Sequence, residues 1–286
     1  MAAPLRSIAH PGPVASRRHS RAFGERTALD VTIEPGESIE AGLGRGLAEA
    51  GCHSGYVEIH AGRLDPFRFV MPAGSPGESH AAWYSQTHAP EGGVTVERAG
   101  AIVGTRDGAP FVHCHGLWHS CDRERRMGHM LPPDCLAAEP IRAVGTGLSG
   151  AVFASRDDAE TNFRLFAAEA VEGWPPAANS ALAVTLRPNQ DVCHAIEAIC
   201  RDVAITRARI HGIGSLNGAR FEDGPPMASY ASELLIREGR LEGGKASLDV
   251  AVVAMDGTIF EGRLVRGDNP VCVTFELVIV PDGEPD

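Results

Sequence analysis

The sequence predicts an α+β fold built twice in one chain, each copy a mostly antiparallel sheet packed against one helix. Two observations carry that expectation. Residues 28–35 (ALDVTIEP) and 181–188 (ALAVTLRP) match each other, alternate apolar and polar side chains as half-buried strands do, and stop at proline. Each is followed by an apolar stripe at helical spacing: Ile39, Leu43 and Leu47 in the first copy, Val192, Ile196 and Ile199 in the second.

The correspondence continues along the chain. Val57-Glu58-Ile59-His60 aligns with Ala208-Arg209-Ile210-His211, each a strand entering a glycine-containing turn. Arg68-Phe69 aligns with Arg220-Phe221. The first copy then carries an insertion rich in Gly, Pro, Ser and His over residues 71–93, a candidate lid. The copies rejoin where Gly128-His129 meets Gly262-Arg263, and the second ends on an apolar strand from Val271 to Val280 that contains Glu276. The boundaries that follow are a basic N-terminal arm over 1–27, a first domain over 28–153, a bridge and linker over 154–178 and a second domain over 179–286. Within the bridge, residues 157–171 read as helix, broken by Trp174-Pro175-Pro176-Ala177.

Composition bounds the function. The 286 residues are 43% hydrophobic and 22% charged, with ample apolar material for a core. No apolar run reaches the length of a transmembrane helix, and no apolar h-region follows the N-terminus, so a secretory signal is not expected. Seven scattered cysteines form no disulfide framework, which points to a reducing cytoplasm. The formal charge of −11 disfavours a nucleic-acid partner, which demands a basic footprint. The basic arm, with Arg6, Arg17, Arg18, Arg21 and Arg26 against Glu25, is the local exception.

Chemistry concentrates in one place. Four of the twelve histidines, His113, His115, His119 and His129, fall within seventeen residues. Asp107-Gly108 marks a hairpin turn, so residues 111–118 read as its second strand. Side chains two apart share a strand face, so His113 and His115 project together and Cys114 opposes them. His129, on the next strand, supplies a third imidazole. Three neutral imidazoles leave a fourth position open, the arrangement of catalytic zinc sites. Iron, manganese, nickel or copper suit the same ligands. Hydrogen-bonded core histidines or a pH-sensing cluster are the competing readings. His119, beyond the strand, is a secondary candidate, as are Cys121 and Cys135, and His80 and His88 lie in the insertion.

The whole chain resembles two tandem PPC domains of the prokaryotic type. Their pattern of H-x-H, an acid-containing turn and a glycine-histidine pair is met by His113, His115 and Gly128-His129, although Met127 stands where a further glycine is expected. The resemblance implies an α+β fold, a metal on those three histidines and a homo-oligomer, commonly a trimer. Ser247, Asp249 and Arg263 stand at the equivalent positions of the second copy, which reads as metal-free. The short Arg-Gly-Arg-Pro minor-groove hook that accompanies the domain in plants does not occur here. A remote resemblance to acetolactate decarboxylase, resting on the H-x-H…H arrangement, implies a zinc-dependent lyase acting on a small hydroxy- or keto-acid. Such chemistry needs a carboxylate proton shuttle and an anion-binding cation. Glu139, which roughly matches Glu276, and Glu58 are the candidate acids; Arg63 and Arg68, with His119, are the candidate substrate-binding groups. The alternatives are a DNA-associated regulatory protein with a structural metal, and a metal or metabolite sensor or assembly module.

Overall fold

The computed structural model describes residues 6–175 and 180–282. The first half runs β1 (His19–Ile33), α1 (Ile39–Glu49), β2 (Ser54–Ile59), β3 (Gly62–Leu64), β4 (Phe69–Val70), β5 (Pro72–Ala73), β6 (Trp83–Tyr84), β7 (Val94–Arg106), β8 (Ala109–Ser120), β9 (Arg125–Met130) and β10 (Ile141–Ser149). A hairpin of β11 (Ala151–Asp157) and β12 (Arg164–Ala170) follows. The second half runs β13 (Ser180–Leu186), α2 (Val192–Asp202), β14 (Ala208–Leu216), β15 (Ser232–Glu242), β16 (Lys245–Ala254), β17 (Ile259–Arg263) and β18 (Val271–Pro281).

Local chemistry explains the main elements. The Ser38 hydroxyl accepts from the Ala41 backbone N–H to cap α1, and the Asp191 carboxylate accepts from His194 N–H to cap α2. Ile39, Leu43 and Leu47, and on α2 Val192, Ile196 and Ile199, are buried along the predicted stripes. Each such side chain contributes roughly 1.5–3 kcal/mol on burial. Asp107 and Gly108 both take positive φ, 52° and 82°, the backbone that a two-residue turn between twisted strands requires.

One continuous sheet joins the halves in the order β17-β16-β15-β14-β18-β13-β1-β10-β2-β7-β8-β9-β4. Strand β1 is the hinge of that order: residues 19–25 pair with β13 and residues 25–33 with β10. Outward from the β13–β1 seam the order is the same on both sides, with β18 standing as β10 does, then β14 as β2, β15 as β7, β16 as β8 and β17 as β9. The registers correspond too. Thr32 faces Arg142 as Thr185 faces Glu276, and His115 faces His129 as Asp249 faces Arg263.

Three apolar layers hold this together. One lies beneath α1 and contains Val112, Cys114 and Trp118 of β8. A second lies beneath α2. Between them the two halves meet face to face, Tyr56, Ile102 and Leu117 of the first against Ile213, Leu235 and Val253 of the second. Gly100 permits this contact, since a Cβ there would stand 2.5 Å from Tyr56 Oη and 2.6 Å from Leu235 Cδ1.

The α+β expectation is overturned. The protein is mostly antiparallel β in one large sheet, with only two α-helices, of 11 residues each, among the described residues. Strands such as β1, β7 and β8 run 12–15 residues, so extended backbone dominates. The bridge corrects similarly. Residues 164–170 are helix-favouring in composition but form β12, with Phe166 and Ala168 buried at strand period and Asn162 at φ 63° in the turn. Pro176 and Ala177 of the predicted break lie outside the described residues, as do residues 1–5 of the arm. The remainder of the arm enters β1 at His19; its Arg18 donates to the buried Glu160 at 2.6 and 2.9 Å, and its Arg6 pairs with Asp268 at 2.7 Å. No helix among the described residues is long and apolar enough to cross a membrane. All seven cysteines are free thiols.

Candidate metal centre

Strand period places the histidines. On β8 the even residues Val112, Cys114 and Trp118 point beneath α1, so His113 and His115 project with Leu117 toward the second half. His129 on β9 sits directly opposite His115 in the antiparallel register. The ring centroids of the three lie 4.7, 4.9 and 5.3 Å apart, and one ring nitrogen from each lies within 4.8 Å of the others.

Hydrogen bonds set the tautomers. His115 Nδ1 is 2.9 Å from the Leu234 carbonyl, which can only accept, so Nδ1 carries the proton and donates. His113 Nδ1 donates in the same way to Glu276 Oε2 at 3.0 Å, and the Thr274 hydroxyl donates to the other oxygen of that carboxylate at 3.0 Å. The two Nε2 atoms then face each other at 3.0 Å. Two lone pairs at that distance repel unless a proton or a cation lies between them. Glu233 Oε2 stands 2.8 Å from His115 Nε2, where it accepts a proton from that nitrogen in the metal-free protein and adds the negative charge that would favour a cation in the proton's place. His129 Nδ1 is buried without a hydrogen-bond partner among the described residues.

This donor set fits a divalent transition metal. In a tetrahedral centre with bonds of about 2.0–2.1 Å the nitrogens stand roughly 3.3 Å apart, a spacing that small ring movements reach here. A carboxylate and a carbonyl behind the ligating rings are the usual means of fixing their orientation. Burial, then the proximity of His113 and His115, pushes the His129 imidazole well below the ordinary histidine pKa, which keeps it neutral. Burial would lower His115 too, but Glu233 outweighs it and the net shift is upward.

The histidines form one wall of a cavity of about 440 Å³. Ser232, Glu233, Thr274 and Glu276 of the second half line it, together with Arg106 and an aromatic cover of Trp83, Tyr84 and Phe163. Trp83 and Tyr84 belong to the 71–93 insertion, which thereby reaches the site; the Tyr84 ring is 5.1 Å from that of His129. His80 and His88 do not join the cluster, since His80 packs on Trp83 and His88 on Phe69.

The remaining sequence candidates lie elsewhere. Glu139 is exposed and accepts from the Arg63 backbone N–H at 3.1 Å, while the Arg63 side chain donates to Asp65 and the Gly92 carbonyl. Arg68 is exposed, and His119 pairs loosely with Glu97 at 3.4 Å. Cys121 is exposed, and Cys135 donates to the Arg68 carbonyl. Glu58 is buried in a different cavity, where Arg98 donates to it at 2.7 Å. In the second half Asp249 is held by Arg237 at 2.7 Å, so the position equivalent to His115 is spent on an ion pair.

Sequence reasoning missed Glu233 and Glu276. The match of Glu139 to Glu276 fails on register, because Glu276 occupies the place of Arg142. A signal was present: both acids interrupt apolar strands and are 6% and 1% exposed, and a buried carboxylate requires a partner.

The half that supplies these glutamates also matches a family model. Residues 176–281 match the Plants and Prokaryotes Conserved (PCC) domain. The PCC match thus covers β13 to β18 and α2, and excludes the three histidines. No curated protein matches the chain. Among solved structures it is similar to a metal-containing protein from Archaeoglobus fulgidus, at 19% identity over 51% of this chain and 96% of that one, with a TM-score of 0.40. It is also similar to a plant- and prokaryote-conserved protein from Pyrococcus horikoshii, at 15% identity over 56% of this chain and 99% of that one, TM-score 0.40. A third, described as a candidate DNA-binding protein from Ralstonia eutropha, aligns at 15% identity over 51% of this chain and 90% of that one, TM-score 0.34.

Proposed function

We propose that this chain is a transition-metal protein, with zinc the first choice of ion, whose centre is divided between two duplicated PPC-type domains. In this reading His113, His115 and His129 of the first domain hold the ion, while Glu276 of the second orients His113 and Glu233 stands free beside the site. The observation that carries it is the gathering of three imidazoles on the wall of one cavity, each offering a ring nitrogen within 4.8 Å of the others. The mirrored strand order and matching registers support the duplication, and the ion pair at Asp249 supports a single metal per chain.

The cavity supports a metal-dependent enzyme acting on a small hydroxy- or keto-acid, with loss of a proton or carbon dioxide as the class of reaction. When bound, the metal supplies a Lewis acid that polarises a ligand oxygen. The chain's own groups do the rest. Glu233, buried beside the ring nitrogens, takes a proton from the ligand. Arg106, drawn over the Phe111 ring at 3.5 Å, offers a cation to its carboxylate. Trp83 and Tyr84 cover part of the cavity's mouth while remaining partly exposed.

A panel of small hydroxy- and keto-acids tests the enzyme reading. The metal-loaded protein should turn over at least one of them. Glu233→Gln should retain its metal and lose activity about 10²–10⁴-fold, the usual contribution of a positioned acid–base group. Metal retention with no turnover of any acid would reject the enzyme while leaving the metal centre standing.

A further inference from the structure

A second cavity, of about 610 Å³, opens between the halves and shares no lining residue with the histidine cavity. Five arginines line it, Arg26, Arg98, Arg209, Arg237 and Arg240, against two glutamates, Glu58 and Glu238. That is a local excess of cations over acids along one wall, in a chain of net charge −11.

Two of these cations, both exposed to solvent at the cavity mouth, stand side by side across neighbouring strands. Arg209 on β14 and Arg240 on β15 are direct cross-strand partners, and like charges in that relation destabilise a sheet. The neighbouring arginines are already matched. Arg98 donates to Glu58 at 2.7 Å, and Arg237 is held by Asp249 and Glu261 at 2.7 and 2.6 Å. Arg240 has only a 3.4 Å contact with Glu238, and no side-chain partner is recorded for Arg209 among the described residues. On the cavity wall, His211 stacks on Tyr56 at 5.3 Å, and the buried Arg98 Nε lacks an acceptor.

We propose that this cavity binds a compact metabolite carrying at least two negative oxyanion charges, phosphate or carboxylate, clamped between Arg209 and Arg240. Guanidinium pairs recognise both groups through two parallel N–H···O bonds, and an anion between them converts the cross-strand repulsion into attraction. The volume suits a small ligand. The site stands apart from the histidine centre and does not depend on it.

Calorimetry of the full chain with sodium pyrophosphate, and separately with citrate, tests this and tells the two chemistries apart. At least one should bind and raise the melting temperature. The double variant Arg209→Gln/Arg240→Gln should weaken that binding at least tenfold while melting, without ligand, no lower than the parent. His129→Ala should leave it within twofold, which separates this site from any anion captured by a metal. The proposal is overturned if neither anion binds, if the double variant binds equally well, if His129→Ala abolishes binding, or if duplex DNA displaces the small anions.

Discussion

Replacing Glu276 with alanine is expected to lower the affinity for zinc about 10–100-fold, although Glu276 lies in the other half of the chain from all three histidines and 147 residues beyond the last of them. The carboxylate accepts from His113 Nδ1, and that bond holds the tautomer with its lone pair on Nε2. Without it the ring can turn or change tautomer, and ligation must first restore the arrangement. The variant also strands a partly buried N–H, at a cost of about 1–3 kcal/mol to the metal-free fold. Glu276→Gln should recover part of the affinity, because its amide oxygen still accepts. A competition titration with a chromogenic chelator reads the series. Equal affinity in parent and alanine variant would show that the second half plays no part in the centre.

The largest effect on stability is expected at Trp118. Its side chain is fully buried beneath α1, with Phe67 and Phe69 edge-on at 4.8 Å each. Trp118→Ala should cost about 3–5 kcal/mol, through lost transfer energy and the cavity left behind. The indole N–H has no acceptor, so its removal offsets part of that loss and favours the lower end of the range. Trp118→Phe keeps a ring and deletes the unsatisfied donor, and should cost clearly less. The damage extends toward the site, because Phe69 on β4 pairs with Met130 on β9, the strand that carries His129. Denaturant melts of the two variants decide this; a loss below about 1 kcal/mol for Trp118→Ala would contradict the packing described.

The sequence and the structure part company for identifiable reasons. The histidine trio was legible because its geometry is local: period two aligns His113 with His115, and the short turn between Ser120 and Arg125 folds β9 back on β8 with His129 opposite His115. The helical stripes were legible for the same reason. Glu233 and Glu276 reach the site only through packing between halves, and no spacing within one strand encodes that. The shift that paired Glu139 with Glu276 and His60 with His211 arose from matching strings of residues. Hydrogen-bond register instead sets Glu276 at the place of Arg142, and His211 opposite Val278 where Glu58 faces Val144. The fold class was misjudged because one strand–helix–strand unit stood for each copy, while the long hairpins β7–β8 and β15–β16 build most of the sheet.

The most direct test of a divided metal centre is anomalous diffraction, recorded at the zinc edge, from crystals of zinc-loaded full-length protein. The account predicts one strong peak per chain, within bonding distance of a ring nitrogen from each of His113, His115 and His129, with Glu276 on the far nitrogen of His113. A peak elsewhere, or no peak from protein shown to be folded, would contradict it.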